Sequence, residues 1–128
     1  MKENKKIDKT FRSWEKEFKK GFTAYIILHF LSEKDMYGYE IKAKLDEKMM
    51  LRTQFQESGI YQNLKKLNSK KFVTSEIRKS DVGPKRKYYI ISKSGKELLK
   101  SFTDQFIYPV SKSIVEIIES NKNKGDSK

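Results

Sequence analysis

The sequence predicts a mainly α-helical chain carrying one small β-hairpin. Three observations support this. Apolar residues recur at three- and four-residue spacings through most of the 128 residues, the period of amphipathic helices. Two runs rich in β-branched and aromatic residues, Val73 to Lys79 and Lys85 to Ser92, break that period, with a Gly83-Pro84 turn signal between them. The net charge of +12 is concentrated: residues 58–93 carry 10 basic and 2 acidic groups, residues 1–20 carry 8 and 4, and the remaining segments are close to neutral.

Composition sets limits. Apolar and charged residues each make up 36% of the chain, enough for one modest core and thin for an isolated monomer. There are no cysteines, so a disulfide framework and cysteine-only zinc sites are excluded. The longest nearly apolar run, Phe22 to Leu31, is too short for a bilayer, which needs about 20 residues. The highly charged stretch before it is unlike a signal peptide, so the default expectation is a cytoplasmic protein with no membrane partner. One histidine, no phosphate-cradling glycine loop and scattered carboxylates argue against an enzyme. No cofactor or metal is called for.

Taken in order, Ile7, Phe11, Trp14 and Phe18 form a helical stripe, which predicts an N-terminal helical extension over residues 1–19. Trp14 is expected to pack against another helix. Residues 21–33 are apolar nearly all round, as in a buried helix, with His29 as a partly buried or hydrogen-bonded core residue. Tyr37, Ile41, Leu45 and Met49 at i+4 spacing predict the next helix over 36–50, where Gly38 permits close approach of a neighbour. Residues 51–57 connect it to a helix over about 58–71.

That helix buries Ile60, Leu64 and Leu67 and turns Ser58, Gln62, Lys65, Lys66 and Ser69 outward, with Tyr61 and Asn63 on the flanks. The outward face is polar and cationic and carries no carboxylate. Amide and cationic donors of this kind are what a major-groove reader presents to base edges and phosphates. A solvated surface helix is the plainer alternative, although such helices usually mix both charge signs. The hairpin sharpens the nucleic-acid reading, because its turn is followed at once by Lys85-Arg86-Lys87, three like charges that a phosphate backbone would neutralise.

Residues 94–121 predict a long helix with the apolar stripe Leu98, Leu99, Phe102, Phe106, Val110, Ile114, Ile117 and Ile118. Pro109 should bend or interrupt it near Gln105 to Tyr108. Residues 122–128 are polar and are expected to be a disordered tail. Two helices, a tight connector and a hairpin make a winged helix-turn-helix over residues 20–93.

The motifs resemble the PadR family of bacterial and archaeal transcriptional regulators. The residues that carry the likeness are Tyr37-Gly38-Tyr39-Glu40-Ile41, Gly59-Ile60-Tyr61 with Leu64 and Leu67, Phe72-Val73, Gly83-Pro84-Lys85-Arg86-Lys87-Tyr88-Tyr89 and Ser92-Lys93-Ser94-Gly95. Gln62 stands where the family usually has proline, Lys71 where it often has a helix-ending glycine, and Ser92 where it usually has threonine, keeping a hydroxyl as a helix cap. With Lys71 there, a differently shaped helix end is expected.

The resemblance implies a dimeric, sequence-specific binder of double-stranded DNA, acting as a repressor at a pseudo-palindromic operator. It implies DNA contacts from Ser58, Tyr61, Gln62, Asn63, Lys65, Lys66, Lys85, Arg86 and Lys87. It implies dimerisation through Leu99, Phe102, Phe106, Val110, Ile114 and Ile117. Some members sense small aromatic molecules between paired helices, which makes Trp14 a candidate effector contact. The alternative reading is a basic RNA- or ribosome-associated protein that uses a winged-helix module.

Overall fold

The computed structural model describes residues 2–79 and 82–126, leaving out the side chains of the last two. It divides into two compact units, Met1–Lys96 and Glu97–Lys128. The chain is mainly helical with one three-stranded antiparallel sheet.

In the first unit, α1 spans Lys2–Glu33 as one uninterrupted helix. The sequence suggests an extension and a separate core helix, divided near Gly21. A Cβ at Gly21 would meet nothing, so that glycine faces open space. One exposed glycine costs a helix about 1 kcal/mol without ending it. Apolar residues on the second half, Ile27, Leu28, Phe30 and Leu31, are buried, whereas those of the first half are exposed. His29 is half-buried, and its Nε2 lies 2.8 Å from the Tyr25 hydroxyl.

After α1 come β1 (Met36–Tyr37), α2 (Gly38–Lys48), α3 (Glu57–Ser69), β2 (Val73–Arg78) and β3 (Arg86–Ile91). The sheet order is β1-β3-β2. Val73 pairs with Ile91 and Arg78 with Arg86 in the hairpin, and Met36 pairs with Tyr89 on the other edge of β3. Strand β1 occupies what reads in the sequence as the start of α2. Two residues are too few to show a strand period. Glu40 then accepts a hydrogen bond from the Tyr37 amide at 3.3 Å and anchors the start of α2. Ile41, Leu45, Phe55, Ile60, Leu64, Leu67, Val73, Tyr89 and Ile91 join the α1 residues in the core.

Helix α3 ends in a Schellman motif. The Phe72 amide donates to the Leu67 carbonyl at 2.9 Å and the Lys71 amide to Asn68 at 3.0 Å. Lys71 itself adopts φ 65°, the left-handed conformation that glycine adopts without strain. The helix end thus has the glycine-type geometry, correcting the expectation that a lysine here changes its shape. The carbonyl of Lys71 is held by the hydroxyls of Ser92 (2.7 Å) and Ser94 (3.1 Å).

Ser92 is also the N-cap of α4 (Lys93–Phe102): its Oγ accepts from the Gly95 amide at 3.1 Å. A Cβ on Gly95 would collide with the Phe72 carbonyl and stand 2.8 Å from Ile91 Cγ1. The Ser-x-x-Gly pattern thus ties the helix start to the strand and turn beneath it.

The second unit contains the rest of α4, a π-helical stretch Thr103–Ile107 and α5 (Tyr108–Asp126). Pro109 lacks an amide hydrogen, and its ring crowds the carbonyl four residues back, at Gln105 inside the π stretch. The Tyr108 amide reaches back five residues to Thr103 instead. The interruption falls where the proline predicts it, but the helix continues beyond it. It also runs through Asp126, so residues 122–126 are helical rather than the expected disordered tail; residues 127–128 lie outside the described ones. Among the described residues, no helix is long and apolar enough to cross a membrane.

Candidate nucleic-acid interface

Helix α3 presents the face that its sequence predicts. Ile60, Leu64 and Leu67 are buried, and Ser58, Gln62, Lys65 and Lys66 are exposed. Its two flanks differ. On one, Tyr61 packs over the start of α2, where a Cβ on Gly38 would lie 2.6 Å from Tyr61 Cζ. The glycine's missing side chain therefore makes room for this ring. Burial raises the pKa of the Tyr89 phenol on β3, and the neighbouring Tyr61 adds to that rise. Tyr61 is still about half exposed. On the other flank, half-buried Asn63 donates its amide to the Gly59 carbonyl at 2.8 Å, which commits one of its donors within the helix.

The hairpin separates its arginines from its lysines. Arg86 is half-buried: its guanidinium lies 4.3 Å from the Tyr37 ring centroid and donates to the Tyr37 hydroxyl. This contact holds β1 against β3, so Arg86 is occupied in the sheet, contrary to its reading as a loop cation beside Lys85 and Lys87. Arg78 likewise stacks 4.8 Å over Tyr88 and pairs with Asp35 at 2.8 Å and with Glu76. Lys85 and Lys87 are exposed and make no ion pair among the described residues; the Lys87 ammonium only skirts the Tyr89 ring at 5.8 Å. Planar guanidinium suits stacking on tyrosine, whereas the compact, strongly hydrated ammonium stays in water. Gly83, at φ 105°, supplies a turn conformation that a side chain would strain.

The connector before α3 is clamped from two sides. Asp46 on α2 accepts the Phe55 amide at 2.9 Å and pairs with Lys42 at 2.7 Å. Burial pulls its pKa upward, but Lys42 and the Phe55 amide outweigh this and leave it below the usual aspartate value. From α1, Glu15 accepts the Thr53 hydroxyl and the Arg52 and Thr53 amides, bonds that lower its pKa, led by the Thr53 hydroxyl. Lys19 donates to the Thr53 and Gln54 carbonyls, and Arg52 pairs with Asp8 and lies 4.2 Å over the Phe11 ring.

This clamp leaves a cleft on each side of α1. One, of about 380 Å³, is almost wholly apolar and is lined by Phe11, Trp14, Phe18, Phe22, Leu51 and Phe55 among others. Trp14 is 68% exposed. Among the described residues of this unit, no helix covers it. The other cleft, of about 770 Å³, runs between α1 and the outward face of α3 and brings Arg12, Lys16 and Lys20 beside Ser58, Gln62 and Lys66. The sequence reading passed over those α1 cations. Their four-residue spacing is visible in the sequence, but nothing in it shows that this part of α1 lies beside α3.

Residues 27–101 match the sequence model of the Transcriptional regulator PadR-like family. The chain belongs to the PadR family. The matched span runs from the buried half of α1 through α3 and the hairpin into α4. A PadR-like transcriptional regulator from Bacillus cereus is similar in structure, at 30% identity and TM-score 0.70, covering 80% of this chain and 96% of that one. A Streptococcus transcriptional regulator is similar at 31% identity and TM-score 0.67, covering 77% and 93%. Bacillus subtilis PadR, whose structure was solved in complex with operator DNA, is 29% identical with TM-score 0.55, over 62% of this chain and 45% of that one. This PadR-family chain is thus a transcriptional regulator built on a winged helix with a long C-terminal helix.

Proposed function

We propose that this PadR-family regulator binds double-stranded DNA as a homodimer and represses transcription by occupying a pseudo-palindromic operator. The observation that carries the reading is the outward face of α3, where Ser58, Gln62, Lys65 and Lys66 are exposed beside a hairpin whose Lys85 and Lys87 are exposed and make no ion pair among the described residues. Gln62 and Lys65 reach base edges in the major groove, while Ser58, Lys66, Lys85 and Lys87 contact phosphates. Tyr61, Asn63 and Arg86 take a positioning role, since each is engaged within the fold. The operator-bound B. subtilis relative supports duplex DNA as the partner.

Dimerisation draws on the second unit. Phe102, Phe106, Val110, Ile114 and Ile117 form an exposed stripe, with Phe102 and Phe106 stacked 4.7 Å apart, whereas Leu99 is already buried in the single chain. A second copy would cover this stripe and set two α3 helices about one DNA turn apart. The apolar cleft at Trp14 is where an aromatic effector would bind, and unchanged Trp14 fluorescence across a panel of planar cations would remove it from the account.

The test is a salt titration of duplex binding with Lys85→Ala/Lys87→Ala. Loss of two phosphate contacts lowers the slope of log affinity against log salt by about 2. An unchanged slope shows that the hairpin is off the backbone, and preferential displacement of the duplex by RNA would favour the RNA-binding alternative.

A further inference from the structure

We propose that the cationic face of α1, formed by Arg12, Lys16 and Lys20, is a second duplex-DNA contact surface that grips backbone phosphates beside the groove entered by α3. The proposal rests on the DNA-binding reading above and extends the contact to a helix outside the helix-turn-helix and hairpin.

The three side chains stand four residues apart, so they line one side of a continuous helix. They open onto the 770 Å³ cleft whose far wall is α3, with Ser58, Gln62 and Lys66 at its edge. Among the described residues, five cations line that cleft and no carboxylate does. Two carboxylates of this half of α1, Asp8 and Glu15, are used elsewhere: they bind Arg52 and Thr53 on the connector. Of the five cations, Lys19 is committed to the Thr53 and Gln54 carbonyls. Lys20 has only a long, exposed pair with Glu17 at 3.4 Å, which holds it weakly. Arg12, Lys16 and Lys66 make no ion pair among the described residues.

A solvated helix face usually interleaves both signs, whereas the described residues lining this cleft are cationic or neutral. Like charges gathered along a cleft repel one another in the free protein, and a polyanion laid against them removes that repulsion and releases its own counterions. The connector clamp joins this half of α1 to the residues that lead into α3. The contact lies on the Asn63 flank of α3, opposite the Tyr61 flank that abuts α2. DNA in the groove would then be held from α1 as well as from the hairpin.

The experiment compares wild type with Arg12→Ala/Lys16→Ala/Lys20→Ala, using the full chain and a mixed-sequence linear duplex as probe. Fluorescence anisotropy gives the affinity across a salt series. The three positions lie off the apolar stripe and outside the clamp, and alanine favours helix, so an unchanged melting curve is expected. The proposal expects a salt slope shallower by about 2 to 3 and roughly tenfold or greater weakening at low salt, with sequence preference retained. Lys112→Ala/Lys122→Ala, which removes charge from α5, is expected to leave the slope unchanged. A triple variant that keeps the wild-type slope overturns the proposal, as does an α5 variant with an equal loss per charge, which would mean that only net charge matters. A wild-type protein that fails to bind the duplex instead overturns the DNA-binding reading itself.

Discussion

Lys71 shows how a single residue can follow the fold against its own preference. Its φ of 65° costs an L-residue with a side chain about 1 kcal/mol, and the Schellman bonds and two serine hydroxyls on its carbonyl hold it there. Lys71→Gly should therefore stabilise the chain by ~0.5–1 kcal/mol, seen as a melting temperature a few degrees higher. Gly95 is the opposite case. A Cβ there meets a backbone carbonyl, which cannot swing aside as a side chain can. Gly95→Ala should cost more than about 2 kcal/mol in a denaturant titration; a loss below about 0.5 kcal/mol would mean that the α4 start moves freely. Both positions were visible in the sequence as pattern, one as a departure from a glycine and one as the end of Ser-x-x-Gly. Neither φ nor the nearness of the Phe72 carbonyl can be read from a pattern. The role of Arg86 was hidden for the same reason: stacking on Tyr37 requires β1, and β1 is two residues long.

The elements were legible in proportion to their length and to the contrast between their faces. The apolar period of α3 predicted its buried residues and its exposed ones, and Pro109 predicted where the C-terminal helix changes pitch. The continuity of α1 was missed because Gly21 and a change in composition look like a boundary, whereas a helix tolerates both. What fixes α1 to the connector is a set of polar contacts from Asp8, Glu15 and Lys19, whose helical spacing shows that they share a face of α1 but not which segment that face meets. The connector also depends on Asp46. Removing its carboxylate in Asp46→Ala should cost about 1–3 kcal/mol, because the Phe55 amide and Lys42 lose a charged partner. The pKa values of Asp46 and Glu15 are both lowered in the folded chain. Their contribution is therefore complete above the unfolded carboxylate pKa, near 4, and is lost as pH falls through the lower folded values. Wild-type stability should decline in that acid window, and the decline should be smaller in Asp46→Ala. Equal pH profiles for the two would show that Asp46 is not a source of the acid sensitivity.

At the scale of the whole molecule, the apolar stripes exposed among the described residues include the Phe11, Trp14 and Phe18 stripe of α1 and the Phe102 to Ile118 stripe of the second unit. Side chains of this kind contribute roughly 1.5–3 kcal/mol each when buried, so a second copy is the economical way to cover them. Sedimentation should report a dimer, and Ile114→Glu/Ile117→Glu should shift it to monomer while the first unit keeps its fold. A wild-type monomer at working concentrations would remove the two-fold arrangement. The central claim concerns α3, and selection of binding sites from a random duplex library tests it most directly. Wild type should enrich a two-fold-related motif, and Gln62→Ala/Lys65→Ala should lose preference at specific base positions while retaining salt-dependent binding. A variant that enriches the same motif as wild type would contradict the account, because the outward face of α3 would then not be reading the bases.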